Sequence, residues 1–179
     1  MTDALTGLRT HRDGLREAIM AHGSTCCLVD VDALIWLNDQ YGHIVGDRVL
    51  ATLAEYFTQS LADRAASVFR VGGDEFLVLL PPLDSISACE VAAGIVAGVR
   101  ALQLPYRRID RPHRAILEVN AAVLRASSRF ADQAFSEFGI TTSARDWVGE
   151  RIFREKTRLS RDAGIVLDLS DAVDCPWAG

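Results

Sequence analysis

RVGGDEFLVLL, residues Arg70 to Leu80, sets two glycines and two adjacent acids between two apolar runs. SVFRV leads into it and EFLVLLPP leads out, both rich in β-branched and aromatic residues. A Gly-Gly pair between such runs predicts an antiparallel hairpin. The acids, Asp74 and Glu75, fall where the second strand begins. Solvation alone accounts for polarity at a hairpin tip. Two acids at a strand entrance also suit something cationic.

Working outward, TCCLVDVDA (25–33) reads as a buried strand with Asp30 and Asp32 at its C-terminal end. LIWLNDQYGH is a short helix closing at Gly42. In GDRVLATLAEYFTQSLA the apolar residues Val49, Leu50, Leu53, Phe57 and Leu61 keep a helical spacing. Past the hairpin come an Ala-rich apolar helix, ISACEVAAGIVAGVRAL, a polar loop, LPYRRIDRPHR, and a strand, AILEVNAAVLRA. For 127–145 a short helix and a loop are the expectation. DWVGERIFREKTRLSRDAG reads as a helix ending at Gly164, followed by a last strand, IVLDLS. Near the N-terminus a helix is expected from Thr10 to His22, ending at Gly23. Strands and helices alternate around one hairpin, which predicts an α/β (α+β) fold of ferredoxin-like type: a mixed sheet with helices packed on it. One domain over 1–170, with a loose tail at 171–179, is the simplest division.

The bulk composition narrows the function. The chain has 179 residues, enough to bury a core, and 49% of them are hydrophobic. Net charge is −5 and there is no long basic run, so DNA or other non-specific nucleic-acid binding has little electrostatic support. The 4 cysteines, Cys26, Cys27, Cys89 and Cys175, form no C-x-x-C pair. Adjacent residues on a strand point to opposite faces, so Cys26 and Cys27 read as reduced core thiols of a cytoplasmic protein. The N-terminus has no signal-peptide core, and no apolar run is long enough for membrane insertion.

Two acid pairs remain: Asp30 with Asp32, and Asp74 with Glu75. Should the first strand lie beside the hairpin, three or four carboxylates converge. Unpaired, they repel and raise one another's pKa. A divalent metal removes the conflict, and hard oxygen ligands suit magnesium held between carboxylates and substrate phosphates. The alternative is that they are solvated strand-end residues. Spacing alone leaves both readings open. The same holds for Asn38, Asp39 and Gly42 as helix-end residues, for His43 as a solvated side chain, and for Gly46-Asp47 as a helix start.

Four blocks in order then carry a resemblance. DALTGL (Asp3 to Leu8), VDVDALIWLNDQYGHIVGD (Val29 to Asp47), RVGGDEF (Arg70 to Phe76) and IFREK (Ile152 to Lys156) resemble the motifs of the GGDEF family of diguanylate cyclases. The resemblance implies a palm-like nucleotide-cyclase fold and condensation of two GTP into cyclic di-GMP, with release of pyrophosphate. It implies magnesium, or manganese, held by Asp30, the carbonyl of Val31 and Asp74. Asp74 also matches the acid that accepts the 3′-hydroxyl proton, and Glu75 an acid near a second metal. Asn38 and Asp47 match guanine readers and His43 a nucleotide-site residue. Gly72 and Gly73 match positions where phosphates approach the backbone. Lys156 matches the late-helix lysine. Each protomer holds one GTP, so a homodimer is implied, at least transiently.

Four departures from the family pattern stand out. Leu34 and Ile35 occupy the usual Phe-Lys positions, so a phosphate-binding lysine is lost. Ser160 takes the place of an arginine, with Arg158 or Arg161 as neighbouring cations. Asp63, Arg64, Ala65 and Ala66 stand where the inhibitory R-x-x-D product site would be, so no such feedback is expected. Val119, Asn120, Ala121 and Ala122 replace a V-S-I-G strand. These losses leave two functions in view, a weak or partner-activated cyclase and a degenerate module that binds GTP and signals by contact. A mixed cyclic GMP-AMP product is a third, against which Asp47 argues.

Overall fold

The hairpin forms as expected and organises the sheet. In the computed structural model, which describes residues 2–10, 25–106, 116–125, 135–136, 139–140, 150, 154, 164 and 166–169, strands β1 (Arg9–Thr10), β2 (Thr25–Val31), β3 (Ser67–Arg70), β4 (Glu75–Leu80), β5 (Val119–Arg125) and β8 (Val166–Asp168) make one sheet. Their order is β1-β3-β4-β2-β5-β8. Two short strands, β6 (Phe135–Ser136) and β7 (Gly139–Ile140), pair antiparallel outside it. Helices α1 (Leu34–Tyr41) and α2 (His43–Ser60) connect β2 to β3, and α3 (Ser85–Ala101) connects β4 to β5.

The topology follows from the pairings. β4 lies antiparallel to both β3 and β2, and β5 lies antiparallel to β2. β2 and β3 therefore run parallel with β4 between them, and β4 and β5 run parallel with β2 between them. Two β-α-β crossovers interleave, which is the ferredoxin-like split arrangement. The consequence for function is that the C-terminal end of β2 lies against the hairpin tip.

Alternation along the strands sorts the core. Cys27, Val29 and Val31 of β2, Phe76, Val78 and Leu80 of β4, and Val119, Ala121 and Val123 of β5 pack with Leu37, Leu53, Phe57, Ala92, Ile95 and Val99 from the three helices. Cys26, Leu28, Leu77, Leu79, Ala122 and Leu124 are buried on the opposite face. Burial pushes the Cys27 thiol up to about 12, with Cys89 adding to it, and pushes Cys26 up as well. Both are free, buried thiols, as their positions on a core strand require.

Local signals set the helix ends. Gly42, at φ 85°, breaks the chain between α1 and α2, and its N–H donates to the Asn38 carbonyl at 2.8 Å. Asp84 caps α3 by accepting from the Ser87 N–H at 2.8 Å. Ser85 donates to Asp168, tying the start of α3 to β8.

The structure corrects several boundaries. Thr10 ends strand β1 rather than starting a helix, because β1 pairs parallel with β3 and satisfies its backbone there. Helix α2 begins at His43, three residues ahead of Gly46. The strand expected from Ala115 is regular only from Val119. The described parts of 127–145 are strands β6 and β7, not helix. The rest of that stretch, residues 11–24, most of the late helix with Lys156 and Ser160, and the 171–179 tail lie outside the described residues. No helix among the described residues is long and apolar enough to cross a membrane.

Candidate active site

The end of β2 meets the hairpin tip through both ladder and loop. Asp30 is the register partner of Glu75 on one side and of Asn120 on the other. Directly opposed residues share a face, so these three side chains leave the sheet on one side. The Val31 N–H donates to the Asp74 carbonyl at 3.0 Å, which fixes the tip against the strand end. The hairpin closes on itself as the N–H groups of Val71 and Gly72 donate to the Glu75 carbonyl at 3.0 and 3.3 Å. The backbones of Asp30, Val31, Asp74 and Glu75 thus meet at one corner.

The expected convergence of three or four carboxylates is not seen among the described residues. Among the described residues no group of three or more His, Cys, Asp or Glu is arranged to hold a metal ion. Asp32 lies past the end of β2, buried, and its N–H donates to the Glu118 carbonyl at 3.2 Å. The hard-oxygen donors at the corner, Asp30, the Val31 carbonyl and Asp74, are nonetheless of the kind magnesium or manganese takes.

The two glycines of the turn have different local reasons. A Cβ on Gly72 would fall on the Glu75 carboxylate, so glycine there makes room for that side chain. A Cβ on Gly73 would meet nothing within 4 Å. The backbone packing at Gly73 therefore does not itself demand glycine.

A clamp not anticipated from the sequence holds the tip. Arg70 donates through Nη1 to Asp3 Oδ1 at 2.9 Å and through Nη2 to the Gly73 carbonyl at 2.8 Å. Asp3 Oδ1 also accepts from the Thr6 N–H and hydroxyl at 2.9 and 2.7 Å. Burial raises the Asp3 pKa, but the bonds from Thr6 and Arg70 outweigh it and hold the carboxyl below its ordinary value. The DALTGL turn is thereby wired to the hairpin. The signal was present as an Asp-x-x-Thr spacing and an arginine just before the glycines, but nothing in one sequence says that the two meet.

At the α1–α2 end, Asn38 and Gly46 are in direct contact. A Cβ on Gly46 would sit 2.9 Å from Asn38 Cγ and closer still to Oδ1. That Oδ1 is buried and finds no hydrogen-bond partner among the described residues. An unsatisfied buried acceptor is costly and calls for a donor from elsewhere. Asp47 follows Gly46 on the exposed side of α2, and His43 is exposed at its first position. Ile35 is 74% exposed in the first turn of α1. The 62–65 segment is an exposed 3-10 turn, with Ala65 left-handed at φ 51°.

The family described as "Diguanylate cyclase, GGDEF domain" matches residues 1–137. Diguanylate cyclase DgcM of Escherichia coli strain K12 is 38% identical over 114 residues, covering 58% of this chain and 28% of that protein. Diguanylate cyclase DgcZ of the same strain is 40% identical over 77 residues, covering 43% of this chain and 24% of that protein. The chain thus matches only about a quarter of the length of these relatives. Among solved structures, the GGDEF domain of DgcB from Caulobacter crescentus, in complex with c-di-GMP, superposes with a TM-score of 0.63 at 21% identity, covering 93% of this chain and 92% of that one. Diguanylate cyclase SiaD of Pseudomonas aeruginosa, in complex with its activator SiaC, gives 0.62 at 24% identity, covering 93% and 61%. These structural likenesses carry the palm-like fold, and the family match over the signature and its flanking motifs carries the rest: the chain belongs to the GGDEF family of diguanylate cyclase domains.

Proposed function

We propose that this chain is a metal-dependent diguanylate cyclase that joins two GTP molecules, one on each of two facing protomers, into cyclic di-GMP with release of pyrophosphate. The observation that carries the reading is the corner where Asp30 opposes Glu75 and Val31 bonds to Asp74. Its donors are the Asp30 and Asp74 carboxylates and the Val31 carbonyl, with Glu75 alongside, a set that fits magnesium or manganese. When bound, the metal offsets triphosphate charge and polarises the reacting phosphorus. Asp74 takes the proton of the 3′-hydroxyl. The freed oxygen bonds to the α-phosphorus of the GTP on the facing protomer, and the bond from that phosphorus to the bridging oxygen of the β-phosphate breaks, releasing pyrophosphate. The same exchange in the other direction closes the ring.

Asn38 and Asp47 read guanine at the opposite end. The buried Oδ1 of Asn38, without a partner among the described residues, supports this, because it offers an acceptor to a base N–H. His43 lies beside the nucleotide, Gly72 and Gly73 face its phosphates, and Lys156 contacts them. The cyclase domain spans 1–170, with 171–179 as a tail. With Asp63 to Ala66 in place of R-x-x-D, product feedback through that site is absent. The protein acts in the cytoplasm in cyclic di-GMP signalling and takes its activation from a separate partner or from dimer formation.

A second reading has one specific support. Ile35 is exposed where the family places a lysine, which favours a regulatory module that binds GTP without turnover. One assay separates the two: purified protein with GTP and magnesium, read for cyclic di-GMP and pyrophosphate. Product that disappears in Asp74→Asn supports the cyclase. GTP binding without product at high protein concentration supports the module.

A further inference from the structure

We infer that Asn120 is the positioning residue for the Asp30 carboxylate, a neutral donor that orients this acid toward a divalent cation without spending its charge. The inference rests on the proposed cation site and deepens it.

Asn120 is fully buried in β5, 0% exposed, with Val119, Ala121 and Ala122 equally buried around it. Asparagine is depleted in strands, and a buried amide is costly unless it is hydrogen-bonded. Apolar residues fill the neighbouring positions, so packing alone does not call for an amide here. Its Nδ2 donates to Asp30 Oδ2 at 3.3 Å, and the ladder sets the two residues directly opposite each other. On the other side of Asp30 stands Glu75, a like charge at the matching register position. Like charges directly opposed repel, and Asn120 supplies a donor to Asp30 on the side away from Glu75. An arginine or lysine in that place would neutralise the carboxylate and compete with a cation. An amide N–H holds the oxygen and leaves the negative charge for the ion, as outer-shell donors do at metal sites.

The test measures binding rather than turnover. The full chain is titrated with Mn2+ in the presence of a fluorescent, non-hydrolysable GTP analogue, and the Mn2+ concentration giving half-maximal nucleotide binding is read, with circular dichroism and melting temperature for each variant. Asp30→Asn serves as the reference. Asn120→Leu and Asn120→Ala remove the donor, and Asn120→Ser restores a shorter one. The expected result is a rise of about tenfold or more in half-maximal Mn2+ for the Leu and Ala variants, and a value within about threefold of the parent for Ser. If Leu does not fold, Ala carries the same comparison. Donor-less variants that need no more Mn2+ than the parent, while Asp30→Asn needs far more, overturn the inference. A Ser variant as impaired as Ala, with its fold intact, also overturns it. If Asp30→Asn itself matches the parent, the cation site is wrong.

Discussion

Replacing Gly46 by alanine tests the guanine end of the site through its packing. The added Cβ would lie 2.9 Å from Asn38 Cγ and closer still to Oδ1. A Cβ essentially never sits closer than 3.0 Å to another side chain's heavy atom, so Oδ1 must retreat by about 1 Å. Two effects oppose each other. Alanine in a helix interior is favoured over glycine by about 1 kcal/mol. Overpacking costs about 1–3 kcal/mol. The expected net is a loss of up to about 2 kcal/mol, read by urea unfolding. In an Asn38→Ala background the obstructing atoms are gone, so the same glycine-to-alanine change should stabilise by about 1 kcal/mol. Displacing Asn38 should also weaken binding of a fluorescent GTP analogue by about twofold to tenfold, since a neutral hydrogen bond contributes about 0.5–1.5 kcal/mol. If Gly46→Ala has the same stability effect with and without Asn38, the steric account fails. If Gly46→Ala and Asn38→Ala both leave nucleotide affinity unchanged, Asn38 is not a reader of the base.

Two further outcomes follow from named contacts. Asp3→Asn should lower stability at pH 7 by about 1–3 kcal/mol, because it removes the charge paired with Arg70 in a partly buried clamp. The Asp3 pKa is depressed in the folded state, so its stabilisation is present above the unfolded value near 3.8 and is lost as pH falls through the folded one. The gap between parent and variant in chemical unfolding should therefore shrink as the pH falls below 3.8, and a gap independent of pH would count against the clamp. Ile35→Lys should tighten GTP binding by about tenfold or more, the worth of one charge-assisted phosphate contact. An unchanged affinity would mean that the start of α1 does not face the triphosphate.

Much of the architecture was legible in the chain, for reasons of periodicity. The apolar runs around Gly72 and Gly73 specify the hairpin, and Val49, Leu50, Leu53 and Phe57 specify the buried side of α2. Gly42 marks the break between two helices because it takes φ 85°. The strand β1 was missed since two residues carry no periodic pattern, and it exists only through its pairing with β3. The beginning of α2 was misplaced because Gly46 reads locally as a helix start, while its role is to leave space for Asn38.

The chemistry on offer is written in the chain: the GGDEF signature, the acids at the end of a strand, and an asparagine and an aspartate beside helix ends. Those are local patterns, set by residue type and spacing. Which of them meet depends on how the strands are ordered and registered. Register places Glu75 and Asn120 on either side of Asp30, and the fold brings Arg70 between Asp3 and the Gly73 carbonyl across 67 residues of chain. Contacts of that kind depend on strand order and on one-residue register, and a shift of a single position turns every side chain to the other face.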